Sequence, residues 1–213
     1  MPKIINKIVK TLIISDFFLN LGWGLLSPVF AIFILQNITV ESASKAAEVA
    51  GFAALFYWIT KSLLEIPIGQ FLDKHHGEKD DLWFMIIGTF LTALVPIGYI
   101  FSSLPWHIYL FQMLHALGMA MALPSWLAIF TRHIDKGREA FEWSISTTSI
   151  GAGAGIAGGL GGVMAGMFGF KLLFVFVSVF TVIAAILLLI IKNNIFARDG
   201  REVFVRERPV VEP

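Results

Sequence analysis

Asp16, Asn20, Trp23 and Ser27 recur at spacings of four, three and four, so a helix carries all four on one face. Their surroundings are apolar. A carboxylate, an amide and an indole N–H there need partners or a water-filled cavity, which makes them candidates for a solute or ion path. Tyr57, Lys61 and Glu65 repeat the design at spacings of four. Lys61 and Glu65 stand in the i, i+4 relation of an ion pair, open to a structural role or to substrate contact. A third apolar segment places Gln112, His115, Met119 and Trp126 on a similar face. His115 suits either a hydrogen-bonded packing residue or a proton carrier, and Asp16 either the cavity or a solvated helix end. The chemistry these types point to is binding and passage of a small solute, with no catalytic residue among them.

The elements that must position them are spanning helices. Of 213 residues, 57% are hydrophobic and 15% charged, and the mean hydropathy is +0.79, outside the range of soluble domains. A crossing helix needs about 20 mostly apolar residues, and such segments fall at about 11–35, 48–72, 82–102, 106–130, 143–167 and 170–191. The expected fold class is an all-α integral membrane protein with six transmembrane helices. The expected domains are a short N-terminus at 1–10, a bundle at 11–192 and a polar tail at 193–213. The first apolar stretch is too long for a cleavable signal and lacks its small-residue site.

Charge distribution orients the bundle. Lys3, Lys7, Lys10, Lys74, Lys79, Arg132, Lys136, Arg138, Lys192 and the four arginines of the tail fall on one side, against Lys45 and Lys171 on the other. The positive-inside rule then places both termini in the cytoplasm of a multi-pass plasma membrane protein. The segments also repeat: Gly22 to Pro28 and Gly118 to Pro124 share the pattern G-x-[G/A]-x-x-x-P, 96 residues apart, each continuing into Ala-Ile-Phe. Repeats of about 11–102 and 106–192 contain three spans each, an odd number, so they would be inverted, as in many secondary transporters. Within 143–167, Gly151, Gly155, Gly159, Gly162 and Gly166 recur at three- and four-residue spacing, which clears one helix face for close packing.

Other functions lack their residues. His75, His76, Glu78 and His133 could suggest a metal site, but adjacent histidines on a turn diverge, and no metal or other cofactor is expected. There is no phosphate-cradling glycine loop, no Gly-framed serine nucleophile with a later helical histidine, and no basic–aromatic nucleic-acid surface. Enzymatic activity is not expected. Cysteine is absent, which removes disulfides.

The loop at 66–79 resembles the signature loop of the major facilitator superfamily, with Gly69, Asp73 and Lys74 in register, Gly77 one residue late, and Glu78 where a basic residue is usual. Gln112 and Ala116 stand where the family often has Arg and Gly, and Gly158 stands where its antiporters have proline. The run 166–174 is similar to the family's entry into its sixth helix. The resemblance covers about 10–192 and corresponds to the amino-terminal six-helix half.

It implies a secondary active or facilitative transporter of a small solute, with protons as the partner where transport is ion-driven. Such proteins work by alternating access between two six-helix bundles. One bundle alone implies a half-transporter in the lipid bilayer, paired with a copy of itself or with a separate second half. The alternative is a non-transporting membrane scaffold or regulatory subunit, or a truncated fragment. The resemblance further implies a cytoplasmic gate at Gly69, Asp73, Lys74 and Gly77, with Arg132 and Arg138 within reach of Asp73.

Overall fold

The structure is a computed structural model that describes residues 5–40, 42–74 and 77–196. Among these, every regular element is helical: α1 (Lys7–Leu26), a 3-10 turn (Ser27–Val29), α2 (Phe30–Asn37), α3 (Ala43–Lys74), α4 (Glu78–Ile100), α5 (Pro105–His133) and α6 (Glu139–Leu189). Five helical stretches are long and apolar enough to cross a membrane, and they take up nearly all of the described chain. His75, His76 and the tail expected at 193–213 lie outside the described residues, apart from the first four residues of that tail.

Where the sequence pattern predicts six segments, the chain has five such stretches, because the last two segments are joined. A run of 51 residues would extend about 77 Å, more than twice the ~30 Å of a hydrocarbon core. It does not run straight. Gly169 breaks it at φ 77°, ψ 170°, a conformation open essentially to glycine alone. The limb before Gly169 runs alongside α1 in the same direction, with Gly153 against Phe17 and Gly161 against Leu25. The limb after it runs the opposite way, with Val177 beside Gly22 and Ala184 accepting a 2.9 Å hydrogen bond from the Ser15 hydroxyl. α6 is therefore two antiparallel limbs that hold α1 between them.

Proline acts differently in the two copies of the G-x-[G/A]-x-x-x-P pattern. Pro28 lies in the 3-10 turn that separates α1 from α2, whereas Pro124 sits inside the continuous α5. The leading glycines do share a use. A Cβ at Gly22 would press on Val177 and Phe180, and one at Gly118 would strike Gly88 and Thr92 of α4. Small residues allow such backbone approach, which apolar burial cannot drive within a lipid phase.

Two apolar layers close the bundle. Near one end, Phe33, Tyr99, Leu173, Phe174 and Val177 pack with Ile34 and Ile108, and the Tyr99 ring meets Phe30, Phe33, Phe111 and Phe174. Near the other, Val9 and Leu12 meet Leu82, Ile86, Ile129, Phe130, Leu188 and Ile195. The first and last described helical turns thus lie at the same end, where Lys7 also reaches the Asn194 side chain at 3.2 Å. Between the layers, Ser178 donates to the Ala93 carbonyl at 2.7 Å and ties α6 to α4.

Candidate functional site

The polar faces of α1, α3 and α5 meet between the two apolar layers. α1 runs unbroken from Lys7 to Leu26, so Asp16, Asn20 and Trp23 keep the common face their spacing predicts. The Asn20 amide donates to the Asp16 backbone carbonyl at 2.8 Å and to Asp16 Oδ1 at 3.1 Å. Across from them, His115 of α5 stacks on Trp23 with ring centres 3.7 Å apart and planes only 6° from parallel. Tyr57 of α3 also meets the imidazole, with ring centres 4.8 Å apart. One imidazole therefore bridges three helices. The Trp23 indole N–H is buried without an acceptor among the described residues.

Two adjoining chambers open beside this aromatic column. The first, about 360 Å³, is lined by Trp23, Ser27, Phe30, Tyr57, Trp58, Gln112 and His115. The second, about 310 Å³, is lined by Asp16, Asn20, Trp23, Tyr57, His115, Met119 and Ile150 among others. A pocket of about 200 Å³ continues past Asp16 toward Trp126, Trp143, Ser146 and Thr147. These volumes suit a small solute or a fragment of one, and a few polar groups among rings are what orient a bound molecule.

Six residues singled out from the sequence, Asp16, Asn20, Trp23, Tyr57, Gln112 and His115, thus border this space. Lys61 and Glu65 border neither chamber. They pair with each other at 2.7 Å one turn further along α3, and the Lys61 ammonium also lies 5.7 Å from the Trp58 ring centre. Trp58, Phe30 and Ile150 are lining residues the sequence patterns did not pick out, because single large apolar residues carry no polar signal in a spanning segment.

At the end of the bundle that holds the first and last described turns, the residues of the signature loop bracket a charge cluster. Lys74 is the last residue of α3, and Gly77, with φ −132° and ψ 133°, leads into α4. Gly69 faces open space, where a Cβ would meet nothing within 4 Å. Arg132 is paired with Asp81, on the first turn of α4, and the Asp81 side chain is 1% exposed. His133 Nε2 is 2.9 Å from Glu78 Oε2. Arg138 lies over the Phe141 ring at 5.0 Å. The sequence placed Arg132 and Arg138 within reach of Asp73; the carboxylate paired with Arg132 is that of Asp81, which the sequence patterns did not pick out. The available signal was its place in the first turn of a helix, where acidic side chains suit the helix dipole.

The glycines divide into two sets. The close approach of α6 to α1 is made by Gly153, Ala157 and Gly161: a Cβ on Gly161 would collide with the Leu25 backbone, and Ala157 touches Gly24. At Gly151, Gly155, Gly159, Gly162 and Gly166, expected to form the packing seam, a Cβ would meet nothing within 4 Å among the described residues. The stripe they form is exposed, together with Ile156, Leu160, Val163 and Met167.

Among the described residues, an all-helical bundle of stretches long and apolar enough to cross a membrane, with polar and aromatic pockets along α1, α3 and α5, fits an integral membrane protein. The chain belongs to the Major Facilitator Superfamily, whose family model matches residues 12–212. It is also similar to an uncharacterized MFS-type transporter of Methanocaldococcus jannaschii, with 24% identity over 204 residues, covering 95% of this chain and 50% of the relative. The chain thus spans about half the length of that curated relative.

Proposed function

We propose that the chain works as one bundle of a secondary transporter for a small solute, crossing the membrane six times with α6 contributing two of the crossings. The solute binds against the α1, α3 and α5 face, and a second bundle closes the path from the other side. Alternating access then follows from rocking of the two bundles about that site. Family membership supports transport as the activity. The observation that carries the assignment to this face is the convergence of Asp16, Asn20, Trp23, Tyr57, Gln112 and His115 around the two chambers.

Two features support the need for a second bundle. The chain aligns with half of its relative. The exposed Gly151–155–159–162–166 stripe also leaves a helix face free of bulk, which a neighbouring helix can approach closely. The second bundle is a further copy of this chain or another six-helix unit, on the same polypeptide or a separate one. In this reading, the loop carrying Gly69, Asp73, Lys74 and Gly77 faces the cytoplasm with both chain ends, and the Asp81–Arg132 and Glu78–His133 pairs brace it.

The test is solute flux into proteoliposomes, with the mass of the reconstituted assembly measured on the same sample. Saturable uptake by two-bundle assemblies, lost on Trp23→Ala, supports the assignment. Two-bundle assemblies that are folded and pass none of a broad solute panel would overturn it.

A further inference from the structure

The charges facing the chambers do not balance. Asp16 borders both the 310 Å³ chamber and the pocket beyond it, yet no Lys or Arg lines any of the three spaces. The cation in the middle of α3 is already committed, with Lys61 held by Glu65 at 2.7 Å. Asn20 donates to Asp16 but is neutral. A carboxylate in apolar surroundings without a counter-cation is an expensive arrangement, relieved by taking up a proton or by a bound cation.

The rings favour the bound cation. Trp23 and Tyr57 border the chamber that contains Asp16, and Trp58 and Phe30 border the adjoining one. Aromatic faces attract an organic cation through the ring quadrupole, most strongly when water is excluded. A second, independent feature is the Trp23 indole N–H, buried with no acceptor. A donor in that state is satisfied when a ligand brings an acceptor. Asp16 and Trp23 are seven residues apart on one helix, which is about 10 Å along its axis.

We infer that this bundle selects a small organic monocation: an amine or quaternary ammonium with a flat apolar body and a hydrogen-bond acceptor within about 10 Å of the charged nitrogen. Asp16 takes the charge, Trp23 and Tyr57 take the apolar body, and the Trp23 N–H takes the acceptor. An inorganic cation has no body for the rings, and an organic anion meets Asp16 with the wrong sign. The inference deepens the transport reading and rests on it for the biological role, whereas the binding preference stands on the chambers alone.

The experiment is titration calorimetry on the full chain in lipid nanodiscs, with (2-phenoxyethyl)trimethylammonium, 2-phenoxyethanol and phenoxyacetate as three probes that share a phenyl ether body and acceptor and differ in charge. The cation is expected to bind at least about tenfold more tightly than the alcohol, with phenoxyacetate weaker still. Asp16→Asn is expected to erase the preference and Asp16→Glu to keep it. The comparison among probes on the unaltered chain needs no variant to fold. Equal binding of the three probes, no binding of the cation, or a folded Asp16→Asn protein that still prefers the cation would each overturn the inference. Flux separates it from the transport reading. Selective binding by two-bundle assemblies without flux sinks transport and leaves the selectivity, while flux of anions in preference to cations does the reverse.

Discussion

Alanine in place of glycine should change stability in opposite directions at two positions on one limb of α6. At Gly161, a Cβ would overlap the Leu25 carbonyl oxygen and lie 2.7 Å from its carbon and 2.9 Å from its Cα. Those are backbone atoms, which cannot rotate away as a side chain would, so α1 and α6 must separate. Overpacking of this kind costs about 1–3 kcal/mol. Alanine returns about 1 kcal/mol of helix propensity, leaving Gly161→Ala destabilised by up to about 2 kcal/mol.

At Gly155, six residues earlier, nothing lies within 4 Å. There the propensity gain stands alone, and Gly155→Ala should stabilise the bundle by about 0.5–1 kcal/mol. Reversible unfolding in mixed micelles, followed by circular dichroism on single bundles, reads both. Shifts of the same sign, or a larger loss at Gly155 than at Gly161, would refute the division of the glycines into a packed and an open set. In the two-bundle assembly, Gly155→Leu should leave each bundle folded and weaken association.

Other outcomes follow from the polar groups. Arg132→Ala leaves the buried Asp81 carboxylate without its partner; because Arg132 is itself 40% exposed, the loss should be about 2–3 kcal/mol in the same unfolding assay, at or below the low end for a buried pair. Asp81→Asn in that background should restore part of the loss. Trp23→Phe removes an N–H that has no acceptor, so stability should hold or rise by up to about 1 kcal/mol, while calorimetric affinity for acceptor-bearing ligands falls. Lys61→Met and Glu65→Gln should each destabilise more than half of what the double variant loses, with a coupling of about 1–2 kcal/mol in a double-mutant cycle.

Some of this is legible in the residues and some is not, for physical reasons. Hydropathy locates the spanning stretches because each must hide its backbone within its own hydrogen bonds. The reversal at Gly169 shows in the sequence only as a turn between two apolar runs, and its left-handed backbone is a matter of geometry. Spacing places Asp16, Asn20 and Trp23 on one face because α1 is continuous there. The same rule applied to Tyr57, Lys61 and Glu65 holds along α3, yet the chambers end before Lys61. Which glycines pack inside the bundle is hidden for a related reason. A segment with glycine at 151, 153, 155, 158, 159, 161, 162 and 166 satisfies small-residue spacing in several phases at once. Which phase is packed depends on where α1 lies, and that is a tertiary fact. The acidic partner of Arg132 is likewise fixed by the α4–α5 contact and not by the loop motif.

The central claim is that the α1, α3 and α5 face forms a solute path when a second bundle covers it. Uptake into proteoliposomes holding two-bundle assemblies tests this most directly, with each assembly's mass established beforehand. The account predicts saturable uptake that Trp23→Ala abolishes and Trp58→Ala reduces. Folded two-bundle assemblies that carry no solute, or that carry one equally well after both substitutions, would contradict it.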